Sequence, residues 1–147
     1  MLFGFFRSVT RRAAAIPTAS HIADAINVGS GGFFLKESQG EFLRRALLDE
    51  FVLSYIYGAT CFAIQLVAER EEETIGYLVL EVYQRLFPGH GKDALTWCNM
   101  RLKEGNETFK HVSGVGYKEM KVVWDSPGVG LLSTLHNRLS NLQDEPP

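Results

Sequence analysis

Cysteine is scarce in this sequence, since Cys61 and Cys98 are the only two among 147 residues. Two cysteines are too few for the disulfide framework on which small secreted domains depend. The four histidines are His21, His90, His111 and His136. None of them forms an i, i+4 pair or a zinc-finger spacing with a cysteine, which argues against a metal site. No cofactor is predicted.

Positive and negative charges are nearly balanced in this sequence. Fifteen lysines and arginines stand against 17 acidic residues, which gives a net charge of −2. This near balance argues against nucleic-acid binding, which depends on a basic surface. Apolar residues make up 46% of the chain, an ordinary share for a globular protein. A chain of this length can form one domain with a core of its own.

Signatures of catalysis are also missing. No serine between glycines has the strand and helix context of a nucleophile elbow. The segment 88–93 (PGHGKD) lacks the first glycine of a P-loop and places Asp93 where a magnesium-binding hydroxyl belongs. Its glycines, its lysine and the helix start that follows are nevertheless typical of an anion cradle. His90 and Lys92 are therefore candidate anion or ligand contacts, although an exposed turn is the simpler interpretation.

A second candidate ligand site falls in residues 109–121, which mix glycines with basic and aromatic side chains. Its candidate contacts are Lys110, His111 and Lys118. Cys98 and His111 lie on different predicted elements and are one conceivable thiol–imidazole pair. The favoured interpretation of Cys98 is a buried cysteine beside Trp97, without a chemical role. A small enzyme or ligand-binding protein that uses 109–121 is one alternative function.

The longest uncharged run spans residues 51–68 and has acidic residues on both sides. Its 18 residues are at the border between a buried core helix and a membrane span. Polar side chains such as Gln65 favour a core helix, whereas Ser54 and Gly58 have a spacing found in close-packed membrane helices. We predict a central core helix over about 39–70, with a membrane-associated subunit inserted through 51–68 as the alternative.

Apolar side chains recur at helical spacing in four further segments, 20–28, 75–86, 93–104 and 126–142. Residues 107–124 are ambiguous, because Met120, Val122 and Trp124 alternate as in a strand. No run of strands occurs. The pattern therefore predicts an all-α fold, a helical bundle packed around one long central helix and preceded by a basic amphipathic N-terminal helix.

That N-terminal helix is predicted from the first 23 residues, which contain three arginines and no acidic residue. Apolar residues over 2–16 follow the helical pattern and the arginines fall largely on the other side. Such a helix can pack on its own core, dock on a partner or an anionic membrane surface, or target an organelle. The candidate partner-binding residues are Phe5, Phe6, Arg7, Arg11 and Arg12.

The glycine-rich segment 29–32 (GSGG) predicts a flexible joint. It divides the chain into an arm (1–28), a helical domain (33–142) and a polar tail (143–147). The leading hypothesis is a non-enzymatic helical protein that acts through protein–protein interaction, as an adaptor, regulatory or assembly component. Its partner would be another protein or a second copy. A cytoplasmic location is expected, with a membrane-associated or organellar location as the alternative.

Overall fold

The computed structural model describes residues 18–35, 40–65, 72–125 and 131–144. All secondary structure within these ranges is helical, which confirms the predicted all-α class. Residues 18–29 are helical and form α1. A 3-10 turn at Phe33–Leu35 precedes α2 (Gly40–Leu47), α3 (Glu50–Ile64), α4 (Glu72–Leu86), α5 (Gly91–Glu104), α6 (Glu107–Asp125) and α7 (Ser133–Asp144).

Helix α3 is the buried centre of the described fold. Its side chains are apolar on nearly all sides, and a helix of that kind must be covered on most of them. Helices α2, α4, α5, α6 and α7 all contact it. A core helix over the uncharged run predicts that Ile56 and Leu66 are buried. Ile56 has no exposed surface, which confirms its burial, and Leu66 lies outside the described residues.

The single helix predicted over 39–70 is not confirmed. The chain bends by 79° between α2 and α3, and α3 ends at Ile64. Asp49 lies at the bend with extended backbone, and its carboxylate accepts a hydrogen bond from the Val52 N–H at 3.0 Å. This bond satisfies a donor that the first turn of a helix leaves free, so Asp49 starts a new helix.

The described helices also bear on the alternative of a membrane span over residues 51–68. Among the described residues no single helix is long and apolar enough to cross a bilayer, and α2 with α3 reaches the required length only as a bent pair. Residues 66–68 of the predicted span lie outside the described ranges. Within α3, the side chains of 52–56 are buried inside the protein.

Helices α3 and α6 pack closely against each other. Their contacting pairs include Tyr57 with Phe109, Gly58 with Ser113, and Phe62 with Tyr117. The ring centroids of the first and last pairs lie 5.4 and 5.3 Å apart. Aromatic pairs thus flank a centre made of small residues.

Glycine permits the close approach at that centre. A Cβ atom on Gly58 would lie 1.8 Å from the carbonyl oxygen of Ser113, and one on Gly116 would lie 2.2 Å from that of Tyr55. The backbones therefore touch where each helix lacks a side chain. The Ser113 hydroxyl also donates a hydrogen bond to the carbonyl of Ser54 at 3.1 Å. The small residues noticed in the sequence of α3 serve this crossing.

The strand-like interpretation of residues 120–124 is wrong, since α6 is helical from Glu107 to Asp125. The glycines that lowered the helical signal include Gly116, which is buried against α3. Met120 is fully buried whereas Val122 is exposed, as a helical face requires. Packing against α3 thus outweighs the local glycine penalty of about 1 kcal/mol.

Helix α1 packs into the common core. Ile22 and Ile26 are buried, and the helix already includes residue 18, two positions before the start of the predicted segment 20–28. The segment 29–32 is a hydrogen-bonded turn in which the Gly32 N–H donates to the Asn27 carbonyl at 2.8 Å. Residues 18–28 of the predicted arm therefore share their core with the predicted 33–142 domain.

Helix α7 closes the described fold against α1 and α2. The N–H of Leu132, just before α7, donates to the Gly29 carbonyl at 2.8 Å. The buried stripe of α7, together with the residue just before the helix, consists of Leu132, Leu135, Leu139 and Leu142. Within the predicted segment 126–142, Leu131 is exposed, and residues 126–130 lie outside the described ranges.

Thr60 gives a test of the core. It is buried in α3, and its hydroxyl has no hydrogen-bond partner among the described residues. An unpaired buried hydroxyl costs about 1–3 kcal/mol, so Thr60→Val should raise the free energy of unfolding in urea by about 1 kcal/mol. Thr134 is the control, because its hydroxyl donates to Glu119 and Thr134→Val should lose about 1 kcal/mol. A loss at Thr60 would show that its hydroxyl is paired.

Candidate binding groove between α2 and α5

Two adjoining depressions lie between α2 and the segment that runs from the α4–α5 turn into α5. The first encloses about 400 Å³ and is lined in part by Leu43, Arg44, Phe87, Pro88 and His90. The second encloses about 310 Å³ and is lined in part by Leu48, Glu50, Leu53, Asp93, Ala94 and Trp97. Leu47 lines both. We call the two together the α2–α5 groove.

Both walls of the groove are helix faces. Leu43 and Leu47 stand one turn apart on α2, and Ala94 and Trp97 stand one turn apart on α5. At about 1.5 Å per residue, each wall extends for roughly 10–12 Å. The groove therefore has the length of about two turns of a helix.

Apolar side chains in the groove remain open to solvent. Leu48 is 73% exposed at its edge, and the side chains of Leu43, Leu47 and Trp97 are half-buried. Phe87 is buried and forms part of the floor. A concave apolar surface with an exposed leucine at its rim is a usual feature of an interaction site.

The charged residues of the groove are segregated. Arg44 and His90 line the first depression, whereas Glu50 and Asp93 line the second. Glu50 also lies 3.6 Å from Arg101, yet its side chain is 71% exposed. One end of the groove is therefore basic and the other end is acidic.

Gly91 holds the α4–α5 turn against α4. A Cβ atom on Gly91 would lie 2.6 Å from the backbone nitrogen of Gln84, and the Gly91 N–H donates to Gln84 Oε1 at 3.1 Å. This N–H of the predicted anion cradle is therefore occupied by the protein itself. His90 lines the groove together with Arg44, whereas Lys92 is exposed on α5 and is not among the lining residues.

The second set of predicted ligand contacts lies elsewhere. Lys110, His111 and Lys118 are exposed on α6, and Lys110 Nζ lies 3.7 Å from the carboxylate of Glu107. They share a helix with the residues that pack on α3, and none of them lines the α2–α5 groove. The structure thus separates His90 from the α6 residues and places it beside Arg44, which the sequence did not single out.

Cys98 is buried without His111. Its Sγ lies 3.2 Å from the hydroxyl of Tyr83, which donates to the Leu53 carbonyl at 2.8 Å. Burial raises the pKa of the Cys98 thiol to about 12, and it also raises the pKa of Cys61. A thiol in this state is a poor nucleophile. Among the described residues, no group of three or more His, Cys, Asp or Glu side chains is placed to hold a metal ion.

This environment predicts slow alkylation of Cys98. At about pH 8 a thiol with a pKa near 12 is ionised in about one molecule in ten thousand. Native protein treated with iodoacetamide should leave Cys98 unmodified in peptide-resolved mass spectrometry, while the partly exposed Cys61 reacts slowly. Urea should make both react alike. Equal rates for Cys98 before and after unfolding would contradict the buried neutral thiol.

The remaining predicted contacts, Phe5, Phe6, Arg7, Arg11 and Arg12, lie outside the described residues. No protein-family model matches the chain, and searches of curated proteins and of solved structures give no match. The bearing of the structure on function therefore rests on its own geometry. Arg44, Leu48 and Trp97 are among the groove residues that sequence reasoning missed, because α2 and α5 lie far apart along the chain.

Proposed function

We propose that the protein is a non-enzymatic interaction module that binds an amphipathic helix of a partner protein in the α2–α5 groove. The observation that carries the proposal is the exposed apolar lining of that groove, with Leu48 at its edge and Trp97 on its far wall. The length of the walls matches a short helix. The segregated charges at the two ends favour a partner with charged residues that flank its apolar stripe.

Helix-in-groove recognition uses apolar anchors at i, i+3 or i+4, and i+7 of the bound helix. Leu43, Leu47 and Trp97 offer surfaces along the groove for such anchors. Each buried apolar side chain contributes about 1.5–3 kcal/mol. Three anchors thus contribute about 4.5–9 kcal/mol before the cost of association is subtracted, so we expect a Kd weaker than micromolar.

The proposal is tested with helical peptides of about four turns that carry leucine anchors, and with scrambled peptides as the reference. Binding to the full chain is measured by calorimetry. Leu48→Glu should weaken binding by about tenfold or more, because it places a carboxylate in the apolar contact. Val122→Glu is the matched control, since Val122 is 65% exposed on α6, outside the groove. Equal binding by both variants, or no peptide binding at all, would contradict the proposal.

A second copy of the chain is the other occupant to test. Light scattering on the native protein and on Leu48→Glu distinguishes the two. A native dimer that Leu48→Glu converts to a monomer would show that the groove is an interface between copies. An unchanged molar mass, with peptide binding lost, supports a partner protein.

A further inference from the structure

We infer that the α2–α5 groove selects a bipolar helix, with acidic residues at the end beside Arg44 and His90 and basic residues at the end beside Glu50 and Asp93. This inference rests on the proposed function and specifies its partner. These four residues line the same two depressions as the apolar anchors. A helix that fills the groove therefore meets both ends.

The polarity follows the course of both walls. On one side Arg44 lies on α2 and Glu50 begins α3 beyond the bend, and on the other side His90 stands one turn before Asp93. Both walls thus change from basic to acidic in the same direction along the groove. A helix with acidic residues throughout would gain at one end and be repelled at the other, and a basic helix likewise.

The size of the preference follows from the exposure of these charges. Exposed ion pairs strengthen binding by at most about fivefold each. A bipolar helix is matched at both ends, whereas a helix with one sign of charge is matched at one end and repelled at the other. The bipolar helix should therefore bind about tenfold more tightly. The preference should weaken as salt is raised above about 0.1 M, because the charges are then screened within 10 Å.

Three peptides with the same leucine stripe test the inference, one bipolar, one acidic at both ends and one basic at both ends. The bipolar peptide should bind the full chain about tenfold more tightly than either of the others. Asp93→Lys makes that end of the groove more basic and should transfer the preference to the acidic peptide. Arg44→Glu should transfer it to the basic peptide. Lys92→Glu is the control, because Lys92 is exposed beside the groove without lining it, and it should keep the native preference.

The outcomes separate this inference from the proposed function. Equal binding of all three peptides, with no transfer in either variant, would overturn the bipolar selection and leave the groove as a helix-binding site. Absence of binding by all three would overturn both. Tightest binding by a peptide with the sequence of residues 1–17, which carries only basic charges, would also overturn the bipolar selection and assign the groove to the chain's own N-terminal segment.

Discussion

Gly58→Ala and Gly116→Ala should each lower the free energy of unfolding by about 3 kcal/mol, a large share of the 5–15 kcal/mol that holds a domain of this size folded. The new methyl group would fall 1.8 Å from the Ser113 carbonyl oxygen in the first case and 2.2 Å from the Tyr55 carbonyl oxygen in the second. Backbone atoms cannot rotate away as a side chain does. Relief therefore requires α3 and α6 to separate.

Two other glycines provide the controls. Among the described residues, no atom beyond the local helix backbone lies within 4 Å of a Cβ built on Gly114 of α6 or Gly76 of α4. Because alanine favours a helix over glycine, Gly114→Ala and Gly76→Ala should each stabilise the protein by about 0.5–1 kcal/mol. Urea unfolding followed by circular dichroism measures all four variants. Equal effects at Gly116 and Gly114 would show that the two helices do not cross at glycine.

Asp49→Ala should cost about 2–3 kcal/mol, since it removes a helix cap and a buried partner of Arg138 together. The Asp49 side chain is only 7% exposed, and Arg138 of α7 donates from Nε to its Oδ2 at 3.0 Å. The same carboxylate accepts from the Val52 N–H. One side chain thus starts α3, fixes the bend after α2 and joins α7 to both.

Asp49→Asn separates these roles. An asparagine oxygen still caps the helix, whereas the charge that faces Arg138 is lost, so the variant should retain roughly half of the stabilisation. Asp24→Ala, at an exposed position of α1, should change stability by less than about 0.5 kcal/mol. Chemical unfolding gives the three values. An Asp49→Ala variant as stable as Asp24→Ala would contradict the role assigned to the bend.

Much of the fold could be predicted from helical periodicity alone. The stripe that includes Val82 and Leu86, the leucines of α7, and the burial of Ile56 and Cys98 all agree with the structure. Each depends on side chains within one helix, where spacing determines which face is apolar. The buried cysteine was predicted because its neighbours are apolar and no ligand spacing surrounds it.

The errors lie where a distant contact decides the local structure. Asp49 is one of the acidic residues before the uncharged run, and nothing in the local sequence indicates that Arg138, 89 positions later, binds it at the bend. The glycines of α6 weakened a helical prediction, although Gly116 is needed for the contact with α3. Local propensity cannot reveal either requirement, because the partner that imposes it lies on another helix.

The candidate site shows the same division. His90 was found from its glycine-rich turn, a local signal. Arg44, Leu48 and Trp97 were not, because the groove exists only once α2 and α5 are brought together. A candidate groove residue on α2 could be noticed only as an exposed apolar side chain beside an arginine, a pattern common to many helices.

The central claim is that the α2–α5 groove binds a helix, and two-dimensional NMR of the full chain with the bipolar peptide tests it most directly. Binding should shift the indole N–H signal of Trp97 and the backbone amides of Leu47, Leu48 and Ala94, and it should leave α6 amides such as that of Lys118 in place. Shifts concentrated on the exposed face of α6, with the groove signals unchanged, would contradict the claim.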